Sequence, residues 1–156
     1  MLAAQEPNRI RGVILCASFV RSPLPVLSPL RFAAVSPVVH VVRLAHRFHL
    51  SLTTGAANTL RHDKAATLAR VPSRVVASRT RAILALDARC CLRECPRPVL
   101  YVAGSRDRVV PSWNAEEIVR ELPSTKVVTI AGSHLALYTN PGEAAHAIVA
   151  FMREHV

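Results

Sequence analysis

Three short runs constrain this chain more than anything else in it: GVILCA at 12–17, PVLYVA at 98–103 and KVVTIA at 126–131. Each is close to continuously apolar, without the polar–apolar alternation that marks a strand with one wet face. Such runs suit parallel strands covered on both sides. Helical patterns follow the last two. In SWNAEEIVREL (112–122), Ala115, Ile118, Val119 and Leu122 recur at helical spacing behind Ser112, a residue suited to capping. In NPGEAAHAIVAFMREH (140–155), Asn140 precedes Pro141, and Glu143 stands three residues past the cap, which is a helix-start signal. Ala144, Ile148, Phe151 and Met152 form the expected buried face, with Arg153 and His155 complementing the dipole in the last turn. Strand, helix, strand, helix implies parallel βαβ units with right-handed crossovers, an α/β class.

The stretch 19–96 differs. It carries helix-like patterning only, interrupted by SPLPVLSP, TTGAAN and RVPS, and no strand. The expected organisation is a core made of 1–18 and 97–156, about three parallel strands with flanking helices. Residues 19–96 form a helical insertion between its first two strands, and an insertion of this size beside a parallel sheet commonly acts as a lid.

Charge and cysteine usage narrow the function classes. The net charge is +10, and residues 1–95 hold 14 Lys and Arg against four acids while 96–156 hold six of each. That balance permits an anionic partner, so a non-catalytic binding module with a basic cap is the alternative to an enzyme. The arginines are dispersed singly among apolar residues with few aromatics, the pattern of a solvated face rather than of a nucleic-acid site. No run of about 18 apolar residues suggests a membrane span, and MLAAQEPNR has no basic segment leading into an apolar one. The four cysteines, Cys16, Cys90, Cys91 and Cys95, are then expected as reduced thiols of a cytoplasmic protein. CCLREC (90–95) does not have a zinc spacing: an adjacent pair is not expected to aim two thiolates at one tetrahedral ion, and no nearby His completes a set. Neither metal nor cofactor is expected. His40, His46, His49, His62, His146 and His155 have no partners at useful spacing and read as helix surface.

Two residues remain that carry chemistry. Asp107, in GSRDRVVP (104–111), lies just past the end of the second strand, and His134, in IAGSHLAL (130–137), just past the third. Sites in open parallel sheets form outside the carboxyl ends of the strands, so both belong to one rim. A carboxylate on one strand end and an imidazole on the next suit an acid–base relay, the acid fixing the tautomer and the imidazole moving the proton. Gly104 and Gly132 stand where the turns are tight.

Residues 97–155, RPVLYVAGSRDRVVPSWNAEEIVRELPSTKVVTIAGSHLALYTNPGEAAHAIVAFMREH, resemble the C-terminal part of the α/β-hydrolase fold, with its strand ending in G-x-x-D-x-x-V-P, helix, strand, His-bearing turn and last helix. NRIRGVILCASF (8–19) is similar to the strand after that family's nucleophile helix, and 19–96 to its cap. The resemblance implies that Asp107 is the triad acid and His134 the triad base of an esterase acting on a small or medium apolar acyl ester, with no cofactor. Ser133 stands where a second small Gly or Ala is usual. The family's G-x-S-x-G nucleophile elbow occurs nowhere in the 156 residues, and MLAAQEPNRIRG resembles the tail of the helix that follows it. The resemblance therefore implies a chain with little or no activity by itself, and leaves dehalogenase or C–C hydrolase chemistry open. Ser18 and Cys16, at the end of the first strand, are the internal candidates for a nucleophile, although turn and strand packing account for them as well. Strand 12–17 is expected to present an apolar edge open to self-association or to a complementing half.

Overall fold

A computed structural model of the chain describes residues 2–6, 8–23, 25–33, 37–41, 66–67 and 70–155. His46, His49 and His62, the TTGAAN stretch and the basic residues Arg43, Arg47, Arg61 and Lys64 lie outside the described residues. The chain divides into two compact units, one of Met1–Pro23 with Leu86–Val156 and one of Leu24–Ala85.

In the first unit three parallel strands form a sheet in sequence order: β1 (Val13–Cys16), β2 (Val99–Gly104) and β3 (Lys126–Ile130). Val13 pairs with Val99 and Cys16 with Val102 on one side of β2; Leu100 pairs with Lys126 and Gly104 with Ile130 on the other. The helices are α1 (Leu2–Gln5), α3 (Arg89–Arg93), α4 (Trp113–Glu121), α5 (Ala136–Thr139) and α6 (Pro141–His155). The second unit contains a 3-10 helix, Pro25–Phe32, and helix α2, Ser73–Ala85, on which Ala77 is buried.

The pleat of β2 divides the core in two. Leu100 and Val102 pack with Ile130, Ala136, Ala144 and Phe151 beneath α6. Tyr101 and Val99 point to the opposite face, Tyr101 against Ile118 of α4 and Leu92 of α3, Val99 against Ala3 and Cys95. Strand β2 is thus buried on both faces, as its continuous apolar run requires. The flanking strands depart from that expectation: Ile14 and Val127 are exposed, because in a three-stranded sheet both are edges. Met152 likewise is exposed rather than on the buried face of α6. It borders a hollow of about 440 Å³ with Ile10, Ile14 and Phe151 beside β1.

The capping expectations divide. Asn140 precedes α6, and its side-chain amide bonds the Glu143 carboxylate, which also accepts from the Ala131 amide at 3.1 Å. Ser112 precedes α4, yet its hydroxyl makes no capping bond. The helix is entered through a tight turn in which the backbone and side-chain amides of Asn114 each donate to the Pro111 carbonyl at 3.0 Å.

The chain leaves and re-enters this unit at a narrow neck, an isolated antiparallel bridge between Arg21 and Asp87. Ala88 donates its amide to the Val20 carbonyl at 2.6 Å and Ser22 to that of Leu86 at 3.2 Å.

Candidate active site

The turn after β2 begins at a glycine for a steric reason. A Cβ at Gly104 would sit 2.5 Å from the Ser133 carbonyl oxygen, so only glycine lets the β3 loop lie this close. Two backbone bonds zip the loops together, Ser105 to the Ile130 carbonyl at 2.9 Å and Arg106 to that of Gly132 at 2.8 Å. Gly132 has a φ of +144°, a conformation that side-chain-bearing residues rarely adopt. The loops are thereby held in one arrangement, and that arrangement brings Asp107 and His134 together.

His134 Nδ1 lies 3.0 Å from Asp107 Oδ2. The other oxygen, Oδ1, accepts the backbone amides of Val109 at 2.8 Å and Val110 at 2.9 Å. The Asp107 side chain is 5% exposed and that of His134 35%. Burial pushes the Asp107 carboxyl up, but the Val110 amide, His134 and the Val109 amide together outweigh it and hold it below the ordinary range. A carboxylate anchored at one oxygen and aimed at Nδ1 by the other keeps the proton on Nδ1 and leaves Nε2 to exchange protons.

A cavity of about 150 Å³ adjoins His134 and is bordered by the carboxyl ends of all three strands: Cys16 at the end of β1 with Ala17 just past it, Gly104 at the end of β2 and Ile130 at the end of β3. Its position is the one at which open parallel sheets hold ligands. Ala17 takes a left-handed backbone, φ +43°, as the chain turns off the sheet. The next carbonyl, Ser18, accepts the Tyr101 hydroxyl at 2.9 Å, and burial pushes that phenol up to about 12. Neither internal candidate nucleophile is activated. The Ser18 hydroxyl donates to the Cys16 carbonyl at 3.0 Å, and burial pushes the Cys16 thiol up, away from the thiolate.

Sequence reasoning did not single out an ion pair at the neck whose acidic partner is buried and whose basic partner is half-exposed. Glu117 of α4 is 2% exposed and pairs with Arg21 of the neck at 2.7 Å, the guanidinium also lying over the Trp113 ring. Asp87, across the neck, bonds Arg89 through both carboxylate oxygens, which holds its carboxyl at about 2. Spacing gave no signal for the Arg21–Glu117 pair: Glu117 stands outside the stripe of Ala115, Ile118, Val119 and Leu122, whereas the face that α4 buries is Asn114, Glu117 and Ile118. Among the described residues no group of three or more His, Cys, Asp or Glu could hold a metal ion, and no helix is long and apolar enough to cross a membrane.

No protein-family model matches the chain, and no curated protein matches it in sequence. Solved structures do match. A hydrolase from Pseudomonas aeruginosa PA01 is similar with a TM-score of 0.74 at 23% identity, over 97% of this chain and 58% of that one. The enol-lactonase of Burkholderia xenovorans LB400 is similar with a TM-score of 0.70 at 23% identity, over 97% and 60%. A thermophilic esterase from Thermogutta terrifontis is similar with a TM-score of 0.70 at 20% identity, over 99% and 60%. The chain spans about 60% of the length of these structures. A parallel sheet in this order, its flanking helices and these likenesses make the fold of this chain a partial α/β-hydrolase fold.

Proposed function

We propose that Asp107 and His134 are the acid and base of a hydrolytic relay, and that the chain is the relay-bearing part of an ester hydrolase for small or medium apolar acyl esters. The observation that carries this reading is the 3.0 Å contact between His134 Nδ1 and Asp107 Oδ2, with Asp107 held by two further amides and the imidazole beside a cavity at the strand ends. In the reaction His134 Nε2 takes the proton of the attacking nucleophile and returns it to the leaving alkoxide, while Asp107 stabilises the imidazolium between the two steps. The ester class is supported by the apolar side chains bordering the cavity and by two of the similar structures being an enol-lactonase and an esterase.

The nucleophile comes from a segment outside these 156 residues, because they contain no G-x-S-x-G and neither Ser18 nor Cys16 is activated. The β1 edge is where that segment adds: among the described residues β1 pairs only with β2.

The test mixes the chain with the elbow-bearing N-terminal segment of a similar hydrolase and follows both assembly by size exclusion and hydrolysis of a short-chain p-nitrophenyl ester. Turnover by the assembled pair, reduced about 10³-fold or more by His134→Ala, is the expected result. An assembled pair that hydrolyses nothing, or turnover that survives His134→Ala, overturns the reading.

A further inference from the structure

Outside the relay, the sharpest cluster of reactive side chains is on α3. Cys90 is exposed, Cys91 half-buried, and their sulfurs lie 3.9 Å apart. The helix that carries them is fixed at several points. Leu92 is buried in the core, Arg93 pairs with Glu121 of α4 at 2.6 Å, and Arg89 is held by Asp87 at the neck. Cys95 faces elsewhere, buried and directed at the Arg97 carbonyl. The result is a pair of thiols, apart from Cys95, on a helix anchored by Leu92 and two ion pairs.

Three geometric facts say what such a pair accepts. Neighbouring Cα atoms are about 3.8 Å apart across a trans peptide, whereas disulfides span about 4.4–6.8 Å. Direct closure to a disulfide would therefore distort the helix, and the pair is held as a dithiol. A single bridging atom fits instead: two bonds of about 2.3 Å at a tetrahedral angle separate their sulfurs by about 3.8 Å. The sulfurs of Cys90 and Cys91, 3.9 Å apart, stand at that separation, although two thiolates by themselves do not complete a tetrahedral zinc site. The donor count then selects the centre. Among the described residues no third metal-ligating side chain joins the pair, so it suits a thiophilic centre that needs two thiolates and brings its remaining ligand with it.

We propose that Cys90 and Cys91 form a chelating site for monosubstituted trivalent arsenicals. The balance is a condensation without redox change: an arsenoxide R–As=O and two thiols give R–As(S)2 and one water. Two As–S bonds form, two S–H bonds break, and the oxide oxygen leaves with both protons. Arsenic stays trivalent.

Phenylarsine oxide is the probe for the reduced 156-residue chain. One equivalent should bind per chain with the loss of two titratable thiols, and trypsin should release the adduct on CCLR, residues 90–93, which contains both thiols and no other cysteine. The adduct should resist a monothiol and yield to 2,3-dimercaptopropanol. Cys90→Ser and Cys91→Ser should each weaken retention about 100-fold or more, because two-point attachment is lost, with an unchanged thermal melt showing that the fold survives. Label on Cys16 or Cys95, retention in either serine variant, or release by an equal concentration of monothiol would each overturn the proposal.

Discussion

The two oxygens of Asp107 serve different partners, and that division sets what a substitution does. Asparagine can keep its oxygen on the Val109 and Val110 amides but must offer an NH2 to His134 where a carboxylate stood. The imidazole then turns to the Nε2–H tautomer. Nitrogen-15 NMR of the side chain should show Nδ1–H in the native chain and Nε2–H in Asp107→Asn. The carboxylate also ties stability to acidity. Its folded pKa lies below the ordinary 3.8, so over that window the unfolded chain binds more protons. The contribution is full above 3.8, including neutral pH, and is lost as pH falls through the lower folded value. Acid titrations of the two chains should converge below that value and separate above it. At Gly104 the limit is steric: Gly104→Ala drives a methyl against the Ser133 carbonyl and should cost about 1–3 kcal/mol in a denaturant melt, lengthening the Asp107–His134 contact as the loop retreats. Asp107 and His134 were legible in the sequence because each follows a strand end by a fixed few residues. The Arg21–Glu117 pair was not, since its partners are 96 residues apart and only the neck brings them together.

Helix α6 shows how one element can be half read from its sequence. Its start was legible because Asn140, Pro141 and Glu143 are a local signal, and Ala144, Ile148 and Phe151 pack as their spacing demands. The position of Met152 depended on something no helical wheel contains, the absence of a fourth described strand beside β1. The two neighbours should therefore respond differently. Phe151→Ala is expected to cost about 3–5 kcal/mol, whereas Met152→Gln should stay within about 0.5 kcal/mol, both measured by urea unfolding. Helix α4 carries the complementary case. Removing the guanidinium in Arg21→Ala strands the buried Glu117 carboxylate and should cost about 1–3 kcal/mol. In a Glu117→Met background the same change should cost little, and a double-mutant cycle measures the difference.

At the scale of the molecule, the continuous apolar runs identified the parallel sheet but not how many strands cover one another. That number decides which surfaces are wet. Ile14, on the outer strand next to the hollow of Ile10, Phe151 and Met152, gives β1 an apolar edge, while β3 begins with a lysine, a residue that blunts an edge. Association of the chain should accordingly run through β1. Sedimentation velocity should show concentration-dependent self-association that Ile14→Lys reduces and Val127→Lys does not.

The neck has a consequence of another kind. Because Val20 and Ser22 are hydrogen-bonded to Ala88 and Leu86, the two chain crossings stand side by side like the stem of a hairpin, and a few residues suffice to join them. Everything from 24 to 85 is then a cassette in the engineering sense: it can be cut out, or exchanged for a segment of different length, with the cost of closing the gap growing only slowly with length. Selection could have rewritten that passage many times over without disturbing the turn that holds Asp107 or the one that holds His134.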